Sequence, residues 1–427
     1  MPDKMTGLRL VRVLSPFETF FALGSMTLRF TAVLRGSLDT AALREAFVAL
    51  RRANPSLNGR VEPHEQGLAL VVDEFSEPVV RVREGDFDER FDIMDHTQHL
   101  VELELVSKGD RHWVSLSVSH TMADARLGYT YFLELLSTYT DLVTTGAASD
   151  GSARPVPDAP EALLAERGIV KRREPGAMKL AGVVSLATDE KASESSPRMS
   201  KQALRFDKRT SKALLDAAKA RGISMHGVVA GAAISAARTL MEGHGNKPID
   251  FGLSSQVDIR SRIQPPVGID AGTNVLGFSY ARVAARPEDD PFELGKSVTD
   301  QLREDLADGV VQQYVLHLDD MGARLKDPSP TLGISNVGVL VIPRTPDSLT
   351  VEGVIGGIES DFSTLNQLRS AAPEEERPAP MPPLIGVYSV LDELHIQLLH
   401  SESTFPKARA EQLVRAMETV LRKIALP

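Results

Sequence analysis

His120-Thr121-Met122-Ala123-Asp124 lies where one hydrophobic period gives way to another. The run before it, His112-Trp113-Val114-Ser115-Leu116-Ser117-Val118-Ser119, puts Val114, Leu116 and Val118 on one face. Ser115, Ser117 and Ser119 fall on the other, which is the period of a half-buried strand. Beyond Asp124, Leu127, Tyr131, Leu135 and Tyr139 recur at every fourth position, and Phe132, Leu136 and Val143 widen the stripe, as on an amphipathic helix. The pentapeptide is therefore read as a strand-to-helix junction. A histidine there can hold its imidazole in a cleft on a rigid support, and a carboxylate four residues on can turn back and fix the loop. Of ten histidines, only His120 has an aspartate at that distance. The same spacing also describes a histidine near a strand end followed by an aspartate that caps the next helix. The rest of the chain has to decide between the two.

A chain of 427 residues is long for one core and suggests two domains of roughly 200 residues. Its hydrophobic (42%) and charged (25%) fractions are those of an ordinary soluble globular protein. No apolar run approaches the length that spans a bilayer. Met1-Pro2-Asp3-Lys4 lacks the basic-then-apolar pattern of a secretory signal, so a cytoplasmic location is expected. The chain contains no cysteine, which excludes disulfides, thiolate metal sites and a cysteine nucleophile together. A net charge of −10 argues against a dedicated nucleic-acid binder.

The first unit opens with a strand over residues 25–34, then Asp39 as N-cap of a helix marked by Ala42, Leu43, Ala46, Phe47 and Leu50. Residues 68–72 and the strand into His120 continue it. Residues 146–200 read as the interdomain connection with a short helix inside. They include the loop around Pro155, Pro157 and Pro160 and the polar stretch 189–197. The second unit begins with a strand over 203–206 and a helix over 210–221, with Thr210 as candidate N-cap and Gly222 just past its end. Ser224 then opens an almost wholly apolar helix rich in Ala and Gly, of the kind buried on all sides. His226, at its start, reads as a core or cap histidine. Strands over 248–253, 332–335 and 394–399 and helices over 291–306 and 407–424 complete an α/β pattern, and 373–383 reads as a loop.

No Gly-x-Ser-x-Gly elbow, Walker loop or dinucleotide glycine fingerprint appears. His96-x-x-His99 has the look of a metal pair but lacks a third ligand, so no metal is expected. His120 is left as the best general base. Arg260, in Asp258-Ile259-Arg260, is the candidate distant partner, able to clamp Asp124 with paired hydrogen bonds, or else a surface arginine. Thr273-Asn274-Val275-Leu276-Gly277 and Ser335-Asn336-Val337-Gly338 are polar-Gly turns beside apolar strands. Asn274, Ser335 and Asn336 are candidates for lining a channel or donating to an oxyanion.

The junction resembles the HHxxxDG motif of the chloramphenicol acetyltransferase-like superfamily, which includes condensation domains and plant alcohol acyltransferases. The chain is more closely similar to the mycobacterial polyketide-associated acyltransferases, the phthiocerol/phthiodiolone dimycocerosyl transferase type. The matching stretches run nearly end to end. They take in residues 36–57, the motif with its helix through Tyr139-Thr140-Asp141-Leu142-Val143-Thr144-Thr145-Gly146, and Leu164-Ala165-Glu166-Arg167-Gly168-Ile169. They continue through Val257-Asp258-Ile259-Arg260, Thr273-Asn274-Val275-Leu276-Gly277 and residues 302–313. The sequence departs from the motif at Ser119, where the family has its first histidine, and at Ala125, where it has glycine.

The resemblance implies two similar α/β lobes with mixed sheets and a substrate tunnel between them: 1–145 with the motif, 146–200 connecting, and 201–427. It implies His120 as catalytic base and Asp124 as a structural residue paired with Arg260. The expected activity is O-acyl transfer from an acyl-CoA or acyl carrier protein thioester to the hydroxyl of a polyketide or lipid alcohol. No cofactor beyond that thioester substrate is expected. An amide-forming enzyme of the condensation type and a catalytically inactive carrier-protein-binding module are the alternatives.

Overall fold

Short polar side chains ahead of apolar runs start many of the helices, and Gly-marked turns separate the strands. In chain order the computed structural model runs β1 (Leu8–Val13), α1 (Pro16–Leu23), β2 (Thr27–Gly36), α2 (Thr40–Ala53), β3 (Gly59–His64), β4 (Gly67–Asp73), β5 (Val80–Glu84), β6 (Val101–Lys108), β7 (Arg111–Ser119), α3 (Ala125–Thr145) and α4 (Pro160–Glu166). It continues with β8 (Met199–Phe206), α5 (Lys208–Ala220), α6 (Met225–Thr239), β9 (Ile249–Asp258), β10 (Leu276–Ala285), α7 (Pro291–Ala307) and the single turn α8 (Gln313–Leu316). Last come β11 (Leu332–Val339), β12 (Leu349–Glu359), β13 (Leu384–Val390), β14 (Glu393–Ser401) and α9 (Lys407–Ile424). The structure describes residues 8–148, 152–172, 179–187, 199–241, 243–320, 328–361, 363, 367 and 380–426. The expected polar stretch 189–197 and most of the expected loop 373–383 lie outside them.

The chain forms two compact units. One comprises Met1–Gly168, Ile263–Val275 and Val341–Asp361, and the other Ile169–Arg262, Leu276–Leu340 and Phe362–Pro427. The boundaries differ from the expected ones: two segments of the expected 201–427 lobe, and α4 of the expected connection, fold with the first unit. Strand pairing is the reason for the later segment. β12 runs antiparallel to β2 along its length, Thr27 opposite Glu359 and Gly36 opposite Leu349, and becomes an edge of the first unit's sheet.

That sheet has the order β12-β2-β7-β6-β5, mixed because β5 runs parallel to β6. A three-stranded antiparallel sheet, β1-β4-β3, completes the unit's strands. α3 packs on β2 and α2. At their contact Gly128 lets the Phe30 ring approach so closely that a Cβ would sit 2.9 Å from it.

The serine face of β7 is not half-exposed as its alternation suggested; Ser115, Ser117 and Ser119 are all buried. Their hydroxyls are paired instead of solvated. Ser115 bonds Thr31 at 2.8 Å, Ser117 accepts from Arg29 Nε at 3.0 Å, and Ser119 meets His96 at 3.3 Å. Arg29 is itself buried, paired with Glu104 at 2.9 Å, and lies over the Phe91 ring. Satisfied pairing lets polar groups stay in an interior at small net cost.

The second unit is one mixed sheet, β10-β9-β11-β13-β14-β8, in which β11 is parallel to both β9 and β13. Its apolar core joins Phe251, Leu253, Ile334 and Ile396 from strands to Val229, Ile234, Leu294, Leu413 and Met417 from helices. The small residues of α6 have a packing reason. A Cβ at Gly231 would lie 1.8 Å from the Pro291 carbonyl oxygen of α7, and one at Gly295 would lie 2.0 Å from the Gly227 carbonyl oxygen. Asp207, rather than Thr210, caps α5, because its carboxylate reaches the Thr210 amide at 2.7 Å. Among the described residues no helix is long and apolar enough to cross a membrane.

Candidate active site

Asp124 both caps the next helix and turns back to fix the junction. β7 ends at Ser119, and the His120 amide donates to the Met26 carbonyl at 2.8 Å, which carries the chain past β2. Asp124 then caps α3, its Oδ1 accepting from the Arg126 and Leu127 amides at 3.1 and 3.0 Å. Ala125, where the motif has glycine, is simply the first residue of α3.

Asp124 also clamps a segment from far along the chain. Its Oδ2 accepts from the Val275 amide at 3.1 Å, and its own amide donates to the Thr273 carbonyl at 2.9 Å. The Thr273 hydroxyl donates to Glu18 on α1 at 2.9 Å. Glu18 is fully buried, paired with Arg12, and closes a capping box with Ser15. Asn274 is thus held between two pinned neighbours.

The clamped Asn274 faces His120. Its Oδ1 is 2.9 Å from His120 Nδ1, while its Nδ2 donates to the main-chain carbonyls of His120 at 2.7 Å and Thr121 at 3.3 Å. Phe21 of α1 covers the imidazole, ring centroids 4.1 Å apart and planes 7° from parallel. Nε2 makes no hydrogen bond among the described residues. Burial holds the His120 pKa below the ordinary histidine value; a hydrogen bond to its own main chain, the Asp124 charge and Asn274 oppose the shift. At neutral pH the ring is therefore uncharged, the form that can accept a proton.

Asn274 was expected to line a channel or donate to an oxyanion. In the structure its Nδ2 donates to two main-chain carbonyls, those of His120 and Thr121. Leu276 and Gly277, read as part of a turn, begin β10. Ser335 and Asn336 were also read as a turn; they lie inside β11, and the shift of register between Asn336 and Gly338 explains the reading. Asn336 Oδ1 accepts from the Gly338 amide at 3.0 Å, and Gly338 has φ of +89°, which a β-bulge with glycine supplies. Arg260 is buried in the second unit just after β9, where its amide meets Asp258 at 2.9 Å. His226, half-buried in the first turn of α6, is bonded to Ser255 at 2.9 Å.

His96 and His99 do not converge. The His96 ring lies 3.3 Å from the Ser119 hydroxyl and 3.5 Å from that of Thr27, while His99 meets Glu102 at 3.3 Å. Burial, with the His99 charge next in size, pushes the His96 pKa down to about 4. Sequence reasoning missed Phe21 and Glu18, and read His96 only as half of a metal pair rather than as cover for the serine face of β7. The first two do sit three residues apart after Ser15-Pro16, a helix start that can be read locally.

Residues 195–399 match the family model described as phthiocerol/phthiodiolone dimycocerosyl transferase C-terminus. A phthiocerol/phthiodiolone dimycocerosyl transferase from Mycobacterium sp. (strain JLS) is 29% identical over 354 residues, 81% of this chain and 85% of that protein. The structure of polyketide synthase associated protein 5 from Mycobacterium tuberculosis superposes with a TM-score of 0.80 at 26% identity, covering 98% of this chain and 99% of the other. A trichothecene 15-O-acetyltransferase from Fusarium sporotrichioides shares the fold, with a TM-score of 0.68 at 11% identity over 98% and 96% of the two chains.

The chain is an acyltransferase by class, and it shares its fold with acetyltransferases and condensation domains. Over most of its length it is similar in sequence to phthiocerol/phthiodiolone dimycocerosyl transferases, and in structure to polyketide synthase associated protein 5.

Proposed function

We propose that this chain is an O-acyltransferase that moves an acyl group from a coenzyme A or carrier-protein thioester to the hydroxyl of a polyketide or lipid alcohol. The observation that carries the reading is the state of His120: a buried, uncharged imidazole engaged at Nδ1, with Nε2 unbonded among the described residues. The names of the mycobacterial relatives support acyl transfer in lipid assembly and so the acceptor class.

The hydroxyl oxygen attacks the thioester carbonyl while its proton passes to His120 Nε2. A carbon–oxygen bond forms and the carbonyl becomes a tetrahedral oxyanion. Collapse breaks the carbon–sulfur bond, and the departing thiolate takes the proton back from the imidazolium. General-base assistance of this kind contributes about 10²–10⁴-fold. Asp124 takes no proton; it holds the junction and the segment that carries Asn274. Arg260 as its ionic partner, and Ser335 and Asn336 as substrate contacts, are part of the proposal.

A mass-spectrometric screen of acyl-CoA and acyl-carrier donors against polyketide and lipid alcohols, with matched amines alongside, tests it. Ester products with thiol release are expected. Products from amines alone would make the enzyme an amide-forming one, and no transfer to either nucleophile would leave a binding module.

A further inference from the structure

A primary amide between an imidazole and two carbonyls has only one satisfactory orientation. Asn274 Nδ2 lies 2.7 Å from the His120 carbonyl and 3.3 Å from that of Thr121. Turned over, the amide would set its oxygen against two carbonyl oxygens, acceptor on acceptor. Nδ2 therefore occupies the carbonyl side, and Oδ1 faces His120 Nδ1 at 2.9 Å. An oxygen that can only accept requires a ring nitrogen that donates.

We propose that Asn274 is a positioning residue that holds His120 as the Nδ1–H tautomer, with the Nε2 lone pair presented to the acceptor hydroxyl. The inference rests on His120 being the general base. The support behind Asn274 fits the role. Thr273 and Val275 on either side are bonded to the main chain and carboxylate of Asp124, and Thr273 to buried Glu18, so the amide cannot swing away. The arrangement links the tautomer of the base to the same aspartate that caps the helix after it.

The wild-type protein, labelled with 15N-histidine, provides the direct reading. His120 is assigned by the signal that disappears in His120→Ala, and at neutral pH its Nδ1 should be protonated and its Nε2 bare. Asn274→Ala should weaken that preference and lower kcat at least tenfold, with the donor and acceptor KM changed by less than about threefold, because a misheld tautomer spoils proton transfer rather than binding. Asn274→Ser, smaller but polar, is the second variant should alanine prevent folding.

A wild-type His120 protonated at Nε2 overturns the proposal without any variant. So does Asn274→Ala or Asn274→Ser with wild-type kcat and unchanged ring shifts. These results differ from failure of the general-base reading, which would show as His120→Ala retaining activity, whatever Asn274 does.

Discussion

Phe21 lies flat on His120, 4.1 Å between ring centres and 7° between planes. Both rings are buried, and the stack fixes the imidazole plane that Asn274 fixes at its edge. An aromatic pair is worth about 0.5–1.5 kcal/mol beyond the area it buries. Phe21→Leu keeps most of the apolar volume and loses the stack. We expect kcat to fall by roughly twofold to tenfold, the rate equivalent of that energy, with both KM values little changed. Steady-state rates from thiol release check this, and a variant with wild-type kcat would make Phe21 only a core residue.

His120→Ala should lower kcat by at least about 10²-fold, the lower end for loss of a general base. The melting curve should stay close to wild type, since the imidazole is held at a strand end and not in the centre of a core. In the wild-type protein kcat/KM should fall on acidification through a pKa below 6.5, because burial lowers the value and the protonated ring cannot accept. A limb centred above 6.5 would point to another group.

The elements around this site differ in how far they can be read from sequence, and the reason is distance along the chain. Asp39, Asp124 and Ser224 are legible as caps because each bonds amides two or three residues on. The Ser/Val alternation of β7 shows the strand but not the cover over its serine face, since Arg29 and His96 arrive from elsewhere. β12 escapes notice because Gly353, Gly356 and Gly357 blur its period and its partner β2 lies more than three hundred residues earlier. Asn274 was singled out from a polar-Gly turn, yet its role depends on a ring 154 positions away. The tautomer of His120 became readable only with both groups in place.

Asp124→Ala and Asp124→Asn should separate the residue's two local tasks. Losing an N-cap costs about 0.5–2 kcal/mol, and the alanine variant also frees the Val275 amide. Asparagine can keep the cap through Oδ1 but sets an N–H donor against the Val275 N–H. We therefore expect Asp124→Asn to melt closer to wild type than Asp124→Ala while losing a similar share of kcat. Equal melting temperatures would mean that the cap contributes nothing. A double-mutant cycle with Arg260 tests the ionic pairing that the resemblance implies; additive losses would remove it.

Stability should fall with pH in a defined window. Burial pushes the pKa values of His96 and His226 from 6.5 to about 4. Between those values the unfolded chain binds protons that the folded chain refuses, so the stabilisation present above pH 6.5 is lost as the pH drops toward 4. Each histidine adds a slope of about 1.4 kcal/mol per pH unit at most. Urea unfolding from pH 8 to 4 should show this, and His226→Gln should flatten it. An unchanged slope in that variant would mean that His226 does not stay neutral on folding.

Transfer should proceed through a ternary complex, without an acyl-enzyme. The sequence offers no thiol and no Gly-x-Ser-x-Gly elbow, and the one strong base, His120, presents Nε2 rather than a nucleophile activated beside it. Direct attack of the alcohol on the thioester is the simplest chemistry these residues support. Initial rates over both substrates should give intersecting double-reciprocal lines. Activity should also survive EDTA, since the rings of His96 and His99 turn to different partners, Ser119 with Thr27 and Glu102. Parallel lines together with a trapped acyl-enzyme would establish a covalent nucleophile instead. Activity lost on chelation and restored by added metal would bring that histidine pair back into the mechanism.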